Sequence, residues 1–231
     1  MRKLVIAGVT LLASSVAVSA AVSRAEEKRL QEAASVLHEL HETPDKDIPR
    51  DLWDKASCVV VIPSVKKAAF IVGGEYGKGV MSCRTGTPAT SWTPPAFMML
   101  AKGSVGFQIG GEAVDLVLLV MNDHGMKHLL QDKVALGGEA SIAGGPVGRD
   151  ARAMTDAQLK AEILSYSRSQ GLFAGIDLTG GVLKPDTDSN EDVYGRNIHT
   201  ADIIERRAVT APPQADVFMR ALQREPVKTF N

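Results

Sequence analysis

The chain reads as an α+β protein built on a strongly curved, mainly antiparallel, barrel-like β-sheet, flanked by an N-terminal amphipathic helix and a few short helices. Three observations predict this. Aliphatic and β-branched runs of strand length recur between Cys58 and Leu183. An aliphatic residue followed by Gly-Gly-Glu occurs at Val72–Glu75, Ile109–Glu112 and Leu136–Glu139. Paired glycines in strands mark bends, bulges or close backbone approach, so their repetition points to one sheet curved several times. Capping residues between the runs open short helices.

Residues 1–20 carry Arg2 and Lys3, an apolar stretch from Leu4 to Val18 and the small residues Val18-Ser19-Ala20. This pattern predicts a secretory signal peptide cleaved after Ala20, leaving a single domain over 21–231 with a C-terminal helical extension. The apolar stretch is short for a membrane anchor. A periplasmic or secreted protein follows from that expectation.

Ser23 to Leu40 is predicted as a helix, because Ser23 and Glu26 have capping-box spacing and Leu30, Ala33, Ala34, Leu37 and Leu40 form one stripe. The stripe either lies on a membrane or packs on the protein's own core, and its narrowness favours the core. A second short helix starts near Pro49. Cys58 to Ile62, Ala68 to Val72 and Gly79 to Cys83 read as strands. Trp92 to Leu100, broken by Pro94 and Pro95, reads as an edge strand or the lead-in to a loop. Val105 to Ile109 is a further strand, and Val114 to Met121 is apolar enough to lie at the sheet centre. Asn122 caps a helix to Gln131, Val134 to Ile142 reads as a strand, and Thr155 with Gln158 caps a helix through Leu164. Gly171 to Leu183 returns to strand, and Pro212 to Arg224 closes with a helix docked on the body.

Without the first 20 residues, 24 basic residues face 27 acidic ones, a net charge of −3. No basic run with interleaved aromatics occurs, so nucleic acid is not an expected partner. Cys58 and Cys83 lie on segments that can pair in a hairpin, where they form a disulfide or remain two buried thiols. Ser64-Val65-Lys66-Lys67 has the Ser-x-x-Lys spacing of acyl-enzymes, making Ser64 with Lys66 a candidate nucleophile and base, but no companion Lys-Thr-Gly occurs. His38 with His41 and His124 with His128 have helical spacing without the glutamate of a His-Glu-x-x-His site, and read as solvated faces. Asp186, Asp188, Asn190 and Asp192 alternate like calcium ligands, yet Glu191 stands at the turn-glycine position, and a polar loop is the better reading. No catalytic residue, metal or cofactor is expected.

Lys66, Lys67, Lys78 and Arg84 bracket the first glycine pair, and Lys102, Arg149, Arg152 and Arg168 lie near other element ends. Gathered beside Phe70, Tyr76 or Trp92, such cations meet lipid phosphates while the aromatic ring sits at headgroup depth; dispersed, they are ordinary surface charge.

The blocks Cys58 to Lys67 (CVVVIPSVKK), Phe70 to Val80 (FIVGGEYGKGV), Gly110 to Asn122 (GGEAVDLVLLVMN) and Ile163 to Gly175 (ILSYSRSQGLFAG), closing at Tyr194-Gly195, resemble the SYLF family of lipid-binding domains. The resemblance runs from about Arg29 to Gly195. It implies non-enzymatic binding of anionic phospholipids, phosphoinositides in eukaryotic members, and in those members a role in actin and endocytic assembly. Export places this chain away from a cytoskeleton, so actin is not an expected partner. The expectation is a peripherally membrane-associated envelope protein whose lipid contacts are Lys66, Lys67, Lys78, Arg84 and Tyr76. Two alternatives are a scaffolding protein acting through protein partners and, as a minor reading, an acyl-hydrolase using Ser64 and Lys66.

Overall fold

The computed structural model describes residues 22–41, 48–69, 72–86, 91–105, 113–148, 154–169 and 172–223. The predicted signal peptide, Phe70, the second glycine pair, Arg149 and Arg152 lie outside them. The chain begins α1 (Arg24–His41), α2 (Arg50–Lys55), β1 (Cys58–Ala69), β2 (Val72–Thr85), β3 (Ser91–Trp92), β4 (Ala96–Val105) and β5 (Ala113–Val120). It continues α3 (Asp123–Leu129), β6 (Val134–Ala135), β7 (Ile142–Gly144), α4 (Asp156–Lys160), β8 (Ile163–Ser169), β9 (Leu172–Gly175) and β10 (Gly181–Pro185). It ends α5 (Thr187–Tyr194), α6 (Thr200–Ile204) and α7 (Asp216–Leu222).

One strongly curled sheet runs in the order β6-β10-β4-β2-β1-β5-β8-β7, with β3 beside β2 and β9 beside β8. Its pairings are antiparallel except β7 with β8. The central strands are apolar on both sides because both faces are covered. Val59 and Val61 of β1, Val80, Phe97, Val117 and Leu119 face α1, α2 and α7. Val60, Ile62, Val65, Met81, Met98, Leu100, Leu116 and Leu118 fill the opposite face, closed by Leu129, Leu136, Leu178 and Ile203. Cys58 and Cys83 sit opposite each other in the β1–β2 register and form a disulfide.

The predicted helix stripe is wholly engaged in this packing. Leu30, Ala33, Ala34, Leu37 and Leu40 of α1 are buried against the sheet and α7. Ser23 Oγ accepts from the Ala25 N–H at 3.2 Å and contacts Glu26, whose carboxylate turns inward rather than closing a reciprocal capping box.

Curvature comes from two glycines outside the repeated motif. The β1–β2 register slips by one residue between Val61 and Lys66, a bulge in which Ser64 adopts φ 51°. Opposite it, a Cβ on Gly79 would lie 2.1 Å from the Val61 carbonyl oxygen and one on Gly77 2.6 Å from Ile62. Gly74, in the first Gly-Gly-Glu, meets nothing closer than 3.6 Å. The third copy is a turn, with Gly137 at φ 80° and the Glu139 carboxylate accepting from the Ala135 N–H. The copies described are therefore two different devices, not one bend repeated.

Four other expectations change. Trp92 to Leu100 is no edge: β4 lies between β2 and β10, because both prolines precede its first paired residue, Ala96. Val134 to Ile142 is two short strands separated by the Gly137 turn. The Thr155–Gln158 capping box is present, but α4 stops at Lys160 and Ile163 onward is strand β8, drawn into the sheet beside β5. Asp186 to Asp192 is not a loop. It is the start of α5, and the Asn190 side chain is bonded to the Phe97 N–H and carbonyl at 2.8 and 3.0 Å.

Gly79→Ala is expected to destabilise the protein by more than about 2 kcal/mol through overpacking against β1. Gly74→Ala should be neutral to within about 1 kcal/mol. Urea melts of both variants check the contrast, and equal effects would remove the β1–β2 close approach as the origin of curvature.

Candidate functional site

Strand alternation puts Val80, Lys78, Tyr76 and Gly74 of β2 on the α1 face, and carries the same face through Phe97, Met99, Ala101 and Gly103 of β4. α1 covers only the first part of it. Its N-terminal half is tied down at Asp186, whose carboxylate accepts from Arg29 Nη1 at 2.9 Å, Lys78 Nζ at 2.9 Å and Ser189 Oγ at 2.9 Å. Glu26 joins through Ser189, and the Arg29 guanidinium stacks on Phe97 at 5.2 Å. Its C-terminal half is tied by Glu39 to Arg168, which also pairs with Asp115 at 2.9 Å. Asp115 in turn accepts from the Ser64 N–H, fixing the bulge.

Beyond α1 the same face is open. Lys66 is exposed and stands directly opposite Tyr76, which is 47% exposed. Such cross-strand neighbours have Cβ atoms about 5 Å apart. Ala101 flanks Tyr76 on β4 and Ala113 flanks Lys66 on β5, both exposed small residues. Lys184 of β10, exposed, is opposite Met99, which is opposite Lys78. The result is a cationic rim around a small, partly apolar strand surface.

The predicted cations therefore divide. Lys66 and Tyr76 come together, with Lys78 at the margin, half-exposed and paired to Asp186. The Lys67 backbone pairs with Glu75, and its side chain is outside the described residues. Arg84 is at the other end of β2, next to the disulfide. It stacks on Trp92 at 4.5 Å and donates to the Ala56 and Trp53 carbonyls at 3.1 Å each, so it joins α2 to the sheet. Burial pushes its pKa down, with Asp54 opposing. Lys102 donates to the Asp177 carbonyl on the opposite face. Lys184 stands across β4 from Lys78, with Met99 between them, a placement that only the strand order creates. The solvated-face reading holds for His38 and His124, which are exposed, but not for their partners: His41 packs edge-on against Trp53 at 4.9 Å, and the ring nitrogens of His128 are shielded beside His124.

With this geometry in place, comparison with known proteins is informative. A family model described as "Ysc84: Las17-binding protein actin regulator" matches residues 101–225, more than half of the chain. The chain belongs to the Ysc84 (SYLF-domain) family. It is 32% identical over 192 residues to SH3 domain-containing YSC84-like protein 1 of Bos taurus, covering 80% of this chain and 55% of that protein. The protein of the same name in Homo sapiens is 32% identical over 180 residues, covering 75% and 52%. LAS seventeen-binding protein 3 of Saccharomyces cerevisiae is 31% identical over 182 residues, covering 78% and 39%. This SYLF-domain chain thus spans about half or less of these relatives' lengths. They are named as binding or regulatory proteins rather than enzymes. The expectation that actin is no partner gains no support from them. Among the described residues of this SYLF domain, no helix is long and apolar enough to cross a membrane.

The Asp186 latch gives a pH-dependent prediction. Burial pushes its carboxyl up, but hydrogen bonds from Lys78, Ser189 and Arg29 outweigh burial and hold it below the usual range. A depressed pKa contributes stability above the unfolded value, near pH 4, that is lost as pH falls through the folded value. Asp186→Asn is expected to cost about 3 kcal/mol at pH 7, because buried Arg29 loses its nearest charge partner and keeps the more distant Glu26 at 3.9 Å. The gap to wild type should narrow below about pH 4. Urea melts at both pH values test this; a pH-independent gap would mean the carboxylate's charge contributes nothing.

Proposed function

We propose that this protein is a non-enzymatic binder of anionic phospholipid, which it contacts through the open part of the α1 face centred on Lys66 and Tyr76. The observation that carries this reading is the cross-strand pairing of an exposed lysine with an exposed tyrosine where α1 no longer covers the sheet. Lysine ammonium groups meet headgroup phosphates, and a tyrosine ring is suited to the interface between polar and apolar layers. Lys78 and Lys184 flank the pair. The buried α1 stripe favours docking by the strand surface over insertion of the helix. The packed side chains of the opposite face favour surface contact over carriage of acyl chains. With the export expected from residues 1–20, the setting is the periplasm or cell exterior, peripheral to a membrane.

A second reading, scaffolding through protein partners, is favoured by the family description as a Las17-binding actin regulator. Flotation with vesicles separates the two. Binding of the mature chain is expected to rise with the anionic lipid fraction and fall with salt. Lys66→Ala should weaken binding about fivefold, as loss of about 1 kcal/mol per basic residue requires, and Arg84→Lys should leave it near wild type. Equal binding to neutral vesicles, or none to either, would sink the headgroup mechanism and leave scaffolding as the better account.

A further inference from the structure

His124 and His128 lie one helical turn apart on α3, on the same side. Their rings meet edge to face with centroids 4.5 Å apart. Glu162, immediately before β8, contacts His124 Nδ1 through Oε1. Its other oxygen is held by the Ser141 N–H at 2.8 Å, and its own N–H donates to Ser141 Oγ at 3.0 Å. Helix and glutamate are brought together by Gly125, where a Cβ would stand 3.2 Å from both the Glu162 Cβ and its carbonyl oxygen. The Asn122 side chain, accepting from the Gly125 N–H at 2.8 Å, fixes the start of that helix.

The second observation concerns His128. Both its ring nitrogens are shut off from solvent, and neither has a hydrogen-bond partner among the described residues. A neutral imidazole has one N–H donor and one lone pair, and leaving both unmet in a shielded position is unfavourable. One donor atom from each of His124, His128 and Glu162 lies within 4.8 Å of the other two.

We propose that His124, His128 and Glu162 form a binding site for a divalent transition-metal ion of the zinc class. Two imidazoles and one carboxylate are a tetrahedral ligand set with the fourth position left to water. Imidazole suits zinc, copper and nickel, whereas calcium and magnesium require mainly oxygen ligands. Zinc holds such donors at about 2.0–2.2 Å, and the three donor atoms already lie within 4.8 Å of one another. The ion satisfies a His128 nitrogen that is without a hydrogen-bond partner among the described residues. The Ser141 N–H on the remaining Glu162 oxygen orients the carboxylate from behind, as outer-shell donors do at metal sites.

The site is at the Val120 end of β5, while Lys66 is opposite Ala113 at the other end. Seven residue steps of strand separate them, about 23 Å. Metal binding and lipid docking are therefore independent. The ion joins α3 to the segments leading into β7 and β8, and acts as a structural tie. Cys58 and Cys83, being disulfide-bonded, offer it no competing thiolates.

The test is zinc titration of the disulfide-intact chain by calorimetry, with magnesium as the comparison ion. One zinc per chain is expected, with little magnesium binding. His124→Ala, a change at an exposed ring that leaves the core untouched, should weaken zinc binding tenfold or more, and His199→Ala should not. Zinc should also raise Tm in the wild type but not in His124→Ala. Cobalt(II) loaded into the wild type offers a readout needing no variant: an intense visible spectrum of low coordination number is expected. A weak spectrum like that of the aqueous ion, absence of zinc binding, or unchanged binding in His124→Ala would overturn the proposal.

Discussion

The buried carboxylate of Asp186 organises the α1 face. It receives Arg29 from α1, Lys78 from β2 and Ser189 from α5, joining three elements far apart in sequence at a point where β10 has just left the sheet. A carboxylate this buried is tolerated because each approaching group is a donor or a cation. Without it, Arg29 would keep only the longer pairing with Glu26 at 3.9 Å among the described residues, and α1 would lose its direct tie to β2 through Lys78. The helix position then determines the rest: which sheet residues are core, and where the open strand surface begins.

Sheet geometry supplies the second half of that boundary. The β1 bulge at Ser64 reverses no side chain but adds a residue, and Asp115 holds the bulge through its amide. Gly77 and Gly79 let β2 pass close to Ile62 and Val65. Lys66 consequently emerges opposite Tyr76, one strand position past the fully buried Val65. Positive charge that is dispersed along the sequence becomes local here. Arg84 shows the converse: equally close to the glycines in sequence, it is at the far end of the strand and holds α2 through two backbone carbonyls.

What could be read from sequence was what depends on short-range pattern. The α1 stripe, the Asn122 cap, the Thr155–Gln158 box and the apolar core of β5 all follow from spacing within a few residues. What could not be read depends on register or distant partners. Arg29 and Asp186 are 157 residues apart, and no local feature of either announces the other. The segment Ile163-Leu164 extends a capped helix as readily as it starts a strand, and only pairing with Val120 and Leu119 decides it. Helical spacing alone does not show that the ring nitrogens of His128 are shielded from solvent.

The central claim is that the strand surface at Lys66 and Tyr76, and not α1, meets the membrane. Single nitroxide labels at Ala101→Cys and Gln31→Cys test it directly, since the native cysteines are bonded to each other. Ala101 adjoins Tyr76 on the open face, and Gln31 is on the exposed side of α1. On adding anionic vesicles, the account predicts that the label at 101 becomes shielded from a water-soluble paramagnetic relaxant while the label at 31 stays accessible. Shielding at 31 with continued access at 101 would contradict it.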